Sequence, residues 1–96
     1  MNTIPLNPDT EALARRLVWF EKPQDALADT VRFAAYAFAR ATHEDMKLVR
    51  KFLTEDDLRE ALTQAPPGVI DPRSWAYWNV RFGRYPTPPM PSRNFL

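Results

Sequence analysis

The chain has 96 residues, 45% of them apolar and 12% aromatic, and a net charge of +1. This supports one folded domain with a modest core, argues against global disorder, and lends a nonspecific affinity for polyanions no support from the total charge. The absence of cysteine excludes disulfides, thiolate metal sites and a cysteine nucleophile, and no apolar run approaches the roughly 18 residues of a membrane span. The first residues, Met1-Asn2-Thr3-Ile4-Pro5-Leu6-Asn7, lack the basic and apolar regions of a signal peptide, so a cytoplasmic location is expected.

Helix caps and apolar spacing predict an all-α fold, a compact bundle of about five helices over 1–83 with an extended proline-rich tail over 84–96. The first helix opens at Asn7-Pro8-Asp9, with a capping Asn and Pro at the first helical position, and is expected to stop near Trp19 or Phe20. Pro23 then opens a second, alanine-rich helix running to about Ala41. Its stripes Leu27/Val31/Ala34/Phe38 and Phe33/Tyr36/Ala37 make it apolar nearly all round. Such a helix is the natural centre of the bundle and must be covered by its neighbours or by a second copy of the chain.

Thr42 with Asp45, and Thr54 with Asp57, resemble capping boxes that start a third and a fourth helix joined by a tight turn. Pro66-Pro67-Gly68 ends the fourth, Val69-Ile70 can supply a hydrophobic staple, and Asp71-Pro72 starts the fifth, which Gly83 should stop. In this last helix Trp75, Trp78 and Phe82 share one face, expected to pack on the second helix, with Trp19 and Phe20 completing the core. Tyr77, Arg81 and Tyr85 fall on another face. Beyond Gly83 the prolines cannot continue a helix, and the tail is expected to be extended, solvated unless its own domain holds it, with Phe95-Leu96 as an apolar anchor.

Catalytic and cofactor signatures are missing. His43 is the single histidine, the two serines sit in no nucleophile elbow, and two glycines cannot build a phosphate loop. Glu55, Asp56 and Asp57 occupy a first helical turn, where acids favour the helix dipole, so they do not read as a metal cluster. The expectation is a non-enzymatic protein with no cofactor and no metal. A helix-turn-helix reading of the third and fourth helices fails on charge, because those same acids would meet phosphates. Charge is instead polarised along the chain: residues 42–65 carry six acids and four bases, residues 66–96 four arginines and one acid.

Leu17-Val18-Trp19-Phe20, Glu55 to Leu62, Ala65-Pro66-Pro67-Gly68, and above all Asp71-Pro72-Arg73-Ser74-Trp75-Ala76-Tyr77-Trp78 with the following Gly-Arg-Tyr-Pro carry a resemblance over most of 15–92. The chain resembles small prokaryotic helical proteins encoded beside AbiEii-like nucleotidyltransferase toxins. That resemblance implies an antitoxin or accessory subunit and supplies no catalytic residues. The expected function is therefore a protein-binding module that occludes a nucleotidyltransferase-like partner. Its expected contacts are Arg73, Tyr77, Arg81, Arg84, Tyr85, Arg93 and Phe95, where rigid aromatics and arginines concentrate. Nucleic-acid binding through the basic C-terminal third is the alternative, and a homodimer or larger homo-oligomer stays open if the second helix exposes Phe33 and Tyr36.

Overall fold

The structure is a computed structural model describing residues 1–92, and through them it is all-helical: α1 (Pro8–Leu17), α2 (Pro23–Ala28), α3 (Thr30–Arg40), α4 (His43–Val49), α5 (Glu55–Thr63) and α6 (Pro72–Arg81). No helix among these residues is long and apolar enough to cross a membrane.

Local chemistry starts each main helix. The Asn7 side chain accepts from the Thr10 amide at 2.9 Å while the Thr10 hydroxyl accepts from the Asn7 amide at 2.9 Å. Both expected boxes form. Thr42 accepts from the Asp45 amide and Asp45 from the Thr42 amide, and Thr54 and Asp57 repeat the exchange. Asp71 accepts from the Ser74 amide at 3.1 Å, with Pro72 at the first helical position. Each cap satisfies amides that the helix leaves without partners and contributes about 1 kcal/mol.

The α3 helix is central, packing against α1, α2, α5 and α6. Phe33, Ala34, Ala35, Ala37 and Phe38 are all buried, so the chain covers this helix by itself. Alanines let neighbouring backbones come close, and the two phenylalanines fill the space between them. From α6, Trp78 stacks at a tilt on Phe38 with ring centroids 5.0 Å apart and donates its indole N–H to the Phe38 carbonyl at 3.0 Å. Phe82 meets the same ring edge-on at 6.2 Å, so the Trp75/Trp78/Phe82 face packs on the central helix as its spacing predicts.

Two expectations are corrected. The helix expected from Pro23 to about Ala41 is broken at Asp29, whose backbone is extended and whose carboxylate accepts from the Arg32 amide at 3.1 Å. Asp29-Thr30 is thus an N-cap inside an apolar run, and six helices result rather than five. Trp19 and Phe20 do not join the core: they are 66% and 50% exposed. The reason is the early end of α1, where Val18 leaves helical geometry and itself takes the buried position. The Arg40 guanidinium donates to the Leu17 carbonyl at 2.8 Å, closing that end of α1.

Acids at three helix starts tie the fold to pH. Burial pushes the Asp45 carboxyl up, but the Arg16 guanidinium and the Thr42 cap bonds together outweigh it and hold the group below the usual carboxylate range. Asp57 is held low chiefly by the Thr54 amide, and Asp71 by its bonds to Ser74. Each folded value lies below the unfolded one. The stabilisation is therefore complete above the ordinary carboxylate pKa of about 4 and is lost as pH falls through the folded values.

Replacing Trp75 with Ala should cost about 3–5 kcal/mol in urea unfolding, the range for truncating a buried aromatic, whereas Trp19→Ala should cost about 1 kcal/mol or less. Equal costs would place Trp19 in the core after all. Asp57→Asn should flatten the acid limb of a stability-against-pH curve; an unchanged limb would show that this cap does not titrate with folding.

Candidate functional site

The C-terminal third is built around the two faces of α6. Trp75, Asn79 and Phe82 are buried and Trp78 half-buried, which leaves Arg73, Ala76, Tyr77, Val80 and Arg81 on the outer side. Tyr77 is 58% exposed and Val80 52%. Gly83, at φ +79°, ends the helix: its amide donates to the Val80 carbonyl and the Arg84 amide to the Asn79 carbonyl at 2.8 Å. This is the paired closure that a left-handed glycine permits.

Past Gly83 the chain turns back onto the domain. The Tyr85–Pro86 bond is cis, the Trp75 indole N–H donates to the Pro88 carbonyl at 2.8 Å, and Met90 packs against the core. Residues 84–92 are thus irregular, and their contacts with the domain hold them rather than solvent. Arg84 is half-buried and donates to the Arg59 carbonyl of α5 at 3.2 Å, supplying a cation near a helix end that has no basic residue of its own. Tyr85 is 82% exposed. Among the expected contact residues, then, Arg73, Tyr77, Arg81 and Tyr85 stand at the surface and Arg84 turns toward α5. Arg93 and Phe95 lie outside the described residues.

Between α4 and α6 the surface sinks into a groove of about 390 Å³. Met46, Ala41 and Trp78 contribute its apolar lining, Lys47, Arg50 and Arg81 its cations, and His43 and Tyr77 further polar and aromatic edges. No acid lines it. Glu44 pairs with Lys47 at 3.2 Å and Glu55 with Arg50 at 2.6 Å, both on exposed side chains outside the lining. Arg81 makes no ion pair among the described residues. Summing charge over 42–65 hid this stripe: His43, Lys47 and Arg50 recur at i, i+4 and i+7, the spacing of one helical face.

A third surface collects the aromatics that missed the core. Trp19 and Phe20 meet edge-on at 5.5 Å, and Phe20 and Tyr36 at 5.6 Å. Arg40 lies 4.5 Å from the Trp19 ring centre and 4.8 Å from that of Tyr36; Arg32 sits 5.2 Å from Tyr36 and pairs with Glu21. These are self-satisfied cation–π contacts that solubilise exposed rings.

Among the described residues no three His, Asp or Glu side chains gather as metal ligands do. The C-terminal third presents an aromatic and cationic helix face beside a cationic groove. Comparison with family models, with curated proteins and with solved structures finds no match for this chain.

Proposed function

We propose that the chain is a non-enzymatic protein-binding module whose docking face is the outer side of α6, with Arg73, Tyr77, Val80 and Arg81, extended by Tyr85. The observation that carries this reading is the exposure of Tyr77 and Val80 on a helix whose opposite face is core, continued by exposed Tyr85 on the strap that follows it. Large apolar groups cost hydration where they stand free, and tyrosine and arginine are the side chains that supply most binding energy at interfaces. The face is also preorganised. Asp71 fixes where α6 starts, Gly83 where it ends, and the Trp75–Pro88 bond holds the strap that carries Tyr85, so little entropy is left to lose on docking.

Arginines flanking an apolar centre suit a partner surface that is acidic around an apolar depression. A nucleotidyltransferase-like toxin, with the acidic cleft of a metal-dependent active site, is the partner class that the resemblance around Asp71 to Tyr85 implies. Occlusion of that cleft is the corresponding mechanism. Nucleic-acid binding through the whole C-terminal third is less supported, because Arg73, Arg81 and Arg84 do not form one stripe: Arg84 is engaged with α5. A homo-oligomer built on the central helix would need Phe33 exposed, and Phe33 is fully buried.

With a purified nucleotidyltransferase-like partner, Tyr77→Ala should weaken the complex by about 2 kcal/mol, a hot-spot magnitude, and Val80→Asp by a comparable amount. Gln24→Ala, remote on α2, should leave affinity unchanged, as isothermal titration would show. No complex with the unmodified chain would remove this partner class; a complex indifferent to both α6 substitutions would remove the face.

A further inference from the structure

We infer that the groove between α4 and α6 is a binding site for a nucleoside phosphate, with Lys47, Arg50 and Arg81 taking the phosphate and Tyr77 and Trp78 the base. The site is distinct from the outer docking face in its α4 half. It stands on three observations that no single feature of the sequence conveys.

The first is charge. The only formally charged side chains in the lining are three cations, contributed by α4, its C-cap and α6, and no carboxylate opposes them. Converging like charges cost free energy in the empty protein, and an anion relieves that cost. The glutamates that pair with Lys47 and Arg50 sit outside the groove on exposed side chains, in ion pairs of the kind that contributes little to stability. Exchanging them for a phosphate dianion therefore loses little and gains charge-assisted hydrogen bonds to a ligand that an arginine can grip with two donors. Arg81, with no ion pair among the described residues, is already free to take part.

The second is the aromatic lining. Trp78 is held by its indole bond to the Phe38 carbonyl and by its tilt against the Phe38 ring, while Tyr77 stands edge-on to it at 5.2 Å. A half-buried, fixed indole beside an exposed phenol offers a planar base a π-surface that bare phosphate cannot use. The third is size. About 390 Å³ lies at the small end of ligand pockets, which run from roughly 300 to 1,000 Å³. That suits one nucleotide and excludes a dinucleotide cofactor. The nucleotide can be a free monophosphate or the 5′-terminal residue of a single strand, since the two present the same chemistry.

The test is a titration of the full chain, followed by the indole N–H resonances of the three tryptophans, with AMP, adenosine, inorganic phosphate, and a pentanucleotide with and without a 5′-phosphate. AMP should move the Trp78 indole signal and leave that of Trp19 in place. Adenosine and inorganic phosphate should each bind at least about tenfold more weakly, the loss expected when a charge-assisted hydrogen bond or a stacking contact is removed. Lys47→Ala with Arg50→Ala, both on exposed positions and checked for an unchanged thermal midpoint, should weaken AMP at least about tenfold. Val80→Asn, which removes the apolar centre of the docking face without placing a charge beside Arg81 and lies outside the groove, should leave AMP binding intact, so failure of the protein-docking reading and failure of this one are separable. Tighter binding of the 5′-phosphorylated strand than of AMP assigns the strand end as ligand, and equal binding assigns the free nucleotide. The inference is overturned if neither AMP nor the phosphorylated strand moves Trp78, if the double variant binds as well as the parent, or if adenosine or inorganic phosphate binds as tightly as AMP.

Discussion

Covering α3 on every side is the constraint from which the other elements take their positions. The other helices are six to ten residues long, below the length at which isolated helices persist in water. They exist because each closes part of the surface around Phe33 and Phe38, and α3 in turn is stable only when so enclosed. Arg40 adds a polar tie by closing α1 from the end of α3, and the Trp78 indole adds another by bonding to a carbonyl that the last turn of α3 leaves without an intrahelical partner. Loss of either phenylalanine would therefore be felt at several of the helices packed on α3.

What could be read in advance follows the range of the interaction. Caps at Asn7, Thr42, Thr54 and Asp71 involve residues three apart, and all form where the residue types call for them. The stop at Gly83 is equally local. The break at Asp29 is local too, yet the apolar stripe running across it argued for continuity, and the stripe misled because alanine-rich surfaces pack equally well on either side of a bend. Trp19 and Phe20 show the opposite failure. Hydrophobicity argued for the core, but the core position went to Val18 once α1 ended, a choice set by the distant Arg40 guanidinium on the Leu17 carbonyl.

The candidate site divides along the same line. Tyr77, Arg81 and Tyr85 on one side of the chain and the tryptophans on the other were legible from helical period alone. The groove was not, because it needs α4 and α6, some thirty residues apart in sequence, to line one depression. Neither helix alone presents a concentration of charge that stands out.

Tyr77 and Arg81 belong to both surfaces, and this has a thermodynamic consequence. Each can serve the outer face and the groove only by dividing its contacts between them, so a ligand that draws Arg81 into the groove removes a cation from the docking face. Were both proposed ligands to bind, occupancy of one surface would lower affinity at the other by the same factor in both directions. The size of that coupling is bounded by the contacts two side chains can make. A charge-assisted hydrogen bond and part of an aromatic contact amount to about 2–3 kcal/mol at most. Under the two proposed readings, that would be enough to make partner release respond to nucleotide and too little to make it absolute.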